Sequence, residues 1–187
     1  AEKINIENGA IKSIQVNGRE IRTKTIVSNA NLRSTLFDLV GEDYLDGKFV
    51  EEAREVRLNN SSTQVYMALK EGETVDRDTG DLLFCSTAEL FRTNLLLSKD
   101  VSSRTFSFYY PDIRPQGKNR YLIVSSTNAN YEDWAGVDKE QYEADKQHLI
   151  EDTLNSLEKY VPNCREKIDH VEAATPITFE HYTKHKL

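Results

Sequence analysis

The chain has 187 residues, 38% hydrophobic and 29% charged, with 24 Lys and Arg against 31 Asp and Glu for a net charge of -7. That composition suits one folded domain with room for a small second lobe and excludes a disordered or fibrous chain, while the acidic balance repels phosphate backbones and argues against a nucleic-acid partner. No run approaches the roughly 18 apolar residues of a membrane-spanning helix, no basic-then-apolar leader is present, and Cys85 and Cys164 form no CxxC pair, so a reducing cytoplasm and two ordinary small thiols are expected.

Short β-rich runs at Ile4 to Ile6, Ile11 to Val16 and Ile21 to Val27 are separated by Asn8-Gly9 and Asn17-Gly18. Asn-Gly supplies the two positive-φ residues of a type I′ turn, which predicts a three-stranded meander whose apolar face draws on Ile4, Ile6, Ile11, Ile14, Val16 and Ile26. Asn29 and Asn31 can each cap a helix in which Leu32, Leu36, Leu39 and Val40 recur until Gly41. A second short helix is expected over Tyr44 to Val56, then a strand over Thr63 to Lys70 and a loop from Glu71 to Asp81.

Ser86 and Glu89 have capping-box spacing, which predicts a helix running toward Lys99. Thr105 to Tyr110 and Tyr121 to Ser126 are strands, and their short connection favours antiparallel pairing. The clearest helix runs from Lys139 to Val161, with Asp138 as cap, Gln141 at the third position and Pro162 beyond its end. Ile168 to Ala174 suits a last strand, Thr175-Pro176 breaks it, and a short helix follows from Ile177 to His185. Strands first, then helices and strands without regular alternation, give an α+β fold on an antiparallel or mixed sheet.

His181 and His185 stand at i, i+4, but Tyr182 occupies the place of a metalloprotease glutamate and only His170 is near, so no metal site is expected. His148 belongs to the charged side of its helix, and nothing pairs Cys164 with a histidine. No catalytic residue is assigned.

Three stretches, taken in order, resemble the phytoene desaturase group of FAD-dependent oxidoreductases, related more distantly to amine oxidases and to the GDP-dissociation inhibitors of Rab proteins. The first runs from Gly9-Ala10-Ile11 through Val16-Asn17-Gly18 to Thr25-Ile26-Val27-Ser28-Asn29-Ala30, similar to the family's meander followed by "A-D-x-V-V-S-N-A", with Thr23-Lys24 in place of Ala-Asp. The second is Ser61 to Leu69, similar to the serine-rich strand opening the family's substrate sheet. The third covers Tyr110-Pro111-Asp112 through Pro115-Gln116-Gly117 to Leu122-Ile123-Val124, similar to "D-P-x-x-A-P-x-G" before a strand, with Ile113 where the family has proline. Ala174-Thr175-Pro176 resembles the "T-P" that leads back to the flavin.

The resemblance implies an interior fragment: residues 1–30 a β-meander bordering the cofactor domain, residues 31–187 a substrate-side α+β domain. The family holds the FAD pyrophosphate on a G-x-G-x-x-G turn, yet no two of the eight glycines here have G-x-G spacing. FAD is therefore expected in the intact parent, bound by missing segments of the same protein, with none in this fragment, which alone is expected to be inactive. The parent would pass hydride from an apolar, carotenoid- or lipid-like substrate to flavin, with peripheral membrane contact. Tyr66, Met67, Phe106, Phe108 and Tyr110 are the candidate walls of its cavity; the alternative is that they alternate as ordinary core and sheet surface. Ser28, Asn29 and Ala30 would line the flavin's edge, or Asn29 would simply cap a helix; Thr175 and Pro176 would form a domain crossover, or only terminate a strand. The competing function is a protein- or prenyl-binding module related to the Rab inhibitors.

Overall fold

The computed structural model describes residues 1–56, 59–90, 92–113 and 120–183. Pro115, Gln116, Gly117 and His185, each part of an expectation above, lie outside the described residues. The fold is α+β, and every strand pairing in it is antiparallel. The chain divides into two compact units, Ala1–Asn59 together with the last residues from Glu180, and Asn60–Phe179. The expected boundary at residue 30 falls inside the first of these.

In the first unit β1 (Lys3–Glu7), β2 (Ala10–Val16) and β3 (Arg19–Arg22) form a three-stranded sheet. Both connections are the expected turns: Asn8 and Gly9 have φ 49° and 73°, Asn17 and Gly18 have φ 50° and 71°. Glu2 reinforces the second by accepting from the Asn17 amide at 2.7 Å and the Gly18 amide at 3.2 Å. The third strand ends at Arg22, well short of Val27, so Ile26 is not part of the sheet. The reason is local: the Thr23 hydroxyl donates to the Thr25 carbonyl at 2.8 Å and accepts from the Thr25 amide at 3.3 Å, a bend that competes with the ladder.

The helical turn that follows is π-helical over Ser34–Val40, with the Gly41 amide reaching the Leu36 carbonyl at 3.0 Å. Asn31 starts it, its side chain accepting from the Ser34 amide at 3.1 Å, so Asn29 is not the cap. Helix α1 (Gly47–Glu55) is shorter than Tyr44 to Val56, because the Asp46 carboxylate caps it by accepting from Lys48 and Phe49.

The second unit is a five-stranded sheet in the order β5-β6-β7-β4-β8, built from β4 (Ser61–Leu69), β5 (Leu82–Ser86), β6 (Ser103–Tyr109), β7 (Leu122–Ala129) and β8 (Ile168–Ala174). Strand β5 corrects the expectation of a helix from Ser86 to Lys99. The Ser86 hydroxyl is shared with Ser103 at 2.7 Å and accepts from the Ala88 amide at 3.2 Å, so it caps a turn, and among the described residues of this stretch only α2 (Thr93–Leu96) is helical. Capping-box spacing was outweighed by the free edge of β6, which the apolar run Leu82 to Cys85 completes.

Helix α3 (Lys139–Glu158) begins as expected, the Asp138 carboxylate accepting from the Gln141 amide at 2.9 Å. It ends before Val161 because the Tyr160 and Val161 amides both turn back to the Leu157 carbonyl. Leu149, Leu154 and Leu157 pack with Val65, Met67, Phe106 and Ile123 in one core. Each such side chain contributes about 1.5–3 kcal/mol by leaving water. Helices α4 (Cys164–Lys167) and α5 (Pro176–Thr183) flank β8.

Candidate functional site

The sheet of the second unit has two unlike faces. On one, Phe108, Ile123, Met67 and Val171 form a row across four strands, and the Leu83, Phe106, Ser125, Val65 and Ala173 row lies beside it. This face is buried in the core with α3. The opposite face carries the alternate residues in matching rows. Phe84, Thr105, Ser126, Gln64 and Ala174 make one row, and Leu82, Ser107, Val124, Tyr66 and Glu172 make the next. Tyr109, Leu122, Ala68 and His170 make a third. Period-two alternation requires this separation, since neighbours along a strand point to opposite sides.

Five side chains were candidates for cavity walls, and the alternation divides them. Met67 is 1% exposed and Phe106 0%, with Phe108 and Tyr110 equally enclosed, so these four lie in the core. Tyr110 is further committed: its hydroxyl donates to the Gly80 carbonyl at 2.9 Å, its ring meets Tyr121 edge-on at 5.7 Å, and Arg77 stacks on it at 4.2 Å. It ties the 76–80 loop to the end of the sheet. Tyr66 alone of the five lies on the half-exposed face, where its hydroxyl donates to Gln64 Oε1. Burial, then the Glu172 carboxylate and Tyr109, push the Tyr66 phenol above its ordinary pKa and keep it a proton donor.

Strand β8 places Glu172 opposite Tyr66, with His170 Nε2 3.8 Å from the Glu172 carboxylate. Strand β5 places Leu82 and Phe84 on the same face at the far edge, 65% and 59% exposed. None of Glu172, Leu82 and Phe84 was a candidate from sequence. Alternation in Ile168 to Ala174 could have pointed to Glu172; the continuous run Leu82 to Cys85 has no periodicity to assign faces.

Ser28, Asn29 and Ala30 are exposed, with the Ser28 hydroxyl 2.8 Å from that of Thr35 and accepting from the Ala30 amide at 3.3 Å. Thr175 and Pro176 are buried where β8 passes into α5. The Thr175 hydroxyl meets Tyr142 Oη at 2.9 Å, and its amide donates to Thr178 Oγ1 at 3.1 Å.

A dinucleotide pyrophosphate needs free amides at a helix start and close backbone approach. In α1 the Lys48 and Phe49 amides are taken by the Asp46 carboxylate, in α3 the Gln141 amide is taken by Asp138, and α5 begins with Pro176, which has no N–H. The glycines at 9 and 18 belong to hairpin turns. These capped helix starts and hairpin glycines do not form a pyrophosphate cradle.

Among the described residues no group of three or more His, Cys, Asp or Glu is placed to hold a metal ion, and no helix is long and apolar enough to cross a membrane. Both cysteines are free and buried, and burial raises both thiol pKa values. A recess of about 90 Å³ beside Cys85 is bordered by the Arg104–Asp152 ion pair. An open one of about 490 Å³ lies at the sheet end by Arg77, Asp112 and Tyr121.

No protein-family model matches the chain. It is 25% identical over 189 residues to a chloroplastic prolycopene isomerase of Daucus carota, an alignment covering 97% of this chain and 29% of that protein. The chain thus spans less than a third of the length of the curated relative it matches. At this identity the likeness supports a relationship at the level of the flavoprotein oxidoreductase superfamily that the sequence motifs resemble.

Proposed function

We propose that the chain is the substrate-side part of an FAD-dependent oxidoreductase acting on an apolar, carotenoid- or lipid-like substrate, by hydride transfer to a flavin held by other segments of the same protein. One observation carries this reading: a five-stranded sheet is packed on one face against its own helix and leaves the other half-exposed, with Leu82, Phe84, Leu122, Val124 and Tyr66 on that face. Such a surface is a wall for an apolar ligand once a second wall stands opposite it. The name of the carrot relative, an isomerase of prolycopene, supports an apolar substrate.

On this reading Tyr66 touches substrate, while Met67, Phe106 and Phe108 stiffen the wall from behind. Exposed Ser28, Asn29 and Ala30 are available to the flavin's edge, and Thr175-Pro176 is the buried crossover at which the chain leaves the sheet. Residues 1–30 border the cofactor domain, and the rest is the substrate side. The lipid-like substrate makes peripheral membrane contact part of the same proposal.

The test is to express the chain together with the coding sequence that flanks it in the same frame. The longer protein should carry a G-x-G-x-x-G turn and purify with flavin's visible absorption, whereas the 187 residues alone should not bind FAD saturably. Saturable FAD binding by the 187 residues, or an extended protein without flavin, overturns the proposal.

A further inference from the structure

The five-stranded sheet of the second unit ends on two unlike edges, β5 and β8. In β8 three of the seven residues, Asp169, His170 and Glu172, can ionise, a device that blocks pairing with a foreign strand. Strand β5 reads Leu-Leu-Phe-Cys-Ser and holds neither a charge nor a proline. Its hydrogen bonds to β6 decide which of its backbone groups are already used. The Phe108 amide donates to the Asp81 carbonyl at 3.0 Å, and the Thr87 amide to the Ser102 carbonyl at 2.8 Å. Peptide groups alternate sides along a strand, so residues 81, 83, 85 and 87 face β6, and the N–H and C=O of Leu82, Phe84 and Ser86 face away from the sheet. Among the described residues no strand lies beside them, and all three are exposed.

An edge that offers alternating donors and acceptors at strand spacing is complementary to another extended backbone. We propose that β5 pairs antiparallel with β5 of a second copy of this chain, about a two-fold axis at Phe84. Phe84 then lies opposite its own counterpart, and Leu82 of each copy opposite the partner's Ser86, pairs that exchange two backbone bonds apiece. Asp81 meets the partner's Thr87, so no like charges oppose each other along the seam.

The other edge pairings are less favourable. Setting β5 against β8 of another copy places Leu82 and Phe84 beside ionisable side chains, and setting β8 against β8 gathers Asp169 and Glu172 of both copies on one seam. The β5–β5 pair is also closed. It uses both uncharged edges, and the continuous sheet that results ends on a charged β8 at each side, which stops further growth. The seam itself is backbone and apolar contact, whereas each copy carries a net charge of -7, so salt should strengthen the pair by screening that repulsion. The pairing is independent of what the half-exposed face binds.

Sedimentation equilibrium of the 187-residue chain over a concentration series, with hydrogen exchange followed amide by amide, tests the pairing. The chain should pass from monomer to dimer and stop there, more completely in high salt. Exchange at Leu82, Phe84 and Ser86 should slow as the dimer forms, while Leu83 and Cys85, already bonded to β6, stay protected at every concentration. Phe84→Lys sets two like charges opposite each other on the seam, from a side chain already in water, and should weaken dimerisation about tenfold. A chain that stays monomeric throughout overturns the proposal. So does association that continues past the dimer, that weakens in salt, that leaves exchange at Leu82, Phe84 and Ser86 unchanged, or that Phe84→Lys does not diminish.

Discussion

Arg104 on β6 donates to Thr153 Oγ1 on α3 at 2.5 Å in the interior of the second unit, and Thr153 donates onward to the Leu149 carbonyl at 2.7 Å. Arg104 also pairs with Asp152, whose side chain is 43% exposed. The hydroxyl is thus the buried partner of this guanidinium, and the carboxylate is the wet one. Thr153→Val should cost about 1–3 kcal/mol, because it leaves a buried N–H without an acceptor. Arg104→Met removes that demand, so the double variant should lose less than the sum of the two single variants in urea unfolding. Additive losses would show that the bond does not couple helix to sheet.

Adjacent residues on β4 should answer unequally to mutation. Met67→Ala opens a cavity in the core and should cost about 2–5 kcal/mol, whereas Tyr66→Phe removes one hydroxyl from a half-exposed face and should cost under about 1 kcal/mol. Urea midpoints of the two variants measure the difference. Similar losses would mean that the Tyr66 face is covered as fully as the Met67 face.

The second hairpin turn isolates backbone strain from packing. An added Cβ on Gly18 would meet no atom within 4 Å, but φ is 71° there. Gly18→Ala should therefore destabilise the first unit by about 1 kcal/mol through conformation alone. Asn17→Gly should be close to neutral. Thermal melts of the two variants, with amide shifts of β2 and β3 as the local probe, separate these outcomes.

Asp145 accepts from Lys99 Nζ at 2.5 Å and from Gln141 Nε2 at 2.8 Å. Burial alone would raise its pKa, but the hydrogen bonds from Lys99 and Gln141 and the Lys99 charge outweigh burial and hold it below the ordinary carboxylate value. A depressed folded-state pKa contributes stability that is present above the unfolded value of about 3.9 and lost as pH falls through the folded one. Lys99→Met should be less stable by about 1 kcal/mol at neutral pH, with the gap narrowing in acid as Asp145 is protonated. It should not close, since Lys99 also lies 5.0 Å from the centre of the Trp134 ring, a contact without pH dependence in this range. Denaturant midpoints of both proteins across the acid range give the comparison; a gap constant with pH would exclude the Asp145 contribution.

Features governed by neighbouring residues could be read directly. Asn8-Gly9 and Asn17-Gly18 define their turns because few other pairs adopt positive φ twice in succession. Asp138 starts α3 because its carboxylate reaches an amide three residues on. Strand β8 begins and ends at the expected residues, Ile168 and Ala174.

What required the tertiary structure was decided between distant residues. Leu82 to Ser86 is a strand because β6 presents an edge to it, an influence more than sixteen residues away in the chain by the Ser86–Ser103 pairing. Which of Tyr66 and Met67 enters the core, and that Glu172 faces Tyr66 across the β4–β8 pair, follow from register, which is set by whole-sheet burial. Aromatic and apolar residues announce a sheet by their type, but only the packing of α3 on one side decides which of them are structure and which remain accessible to a ligand.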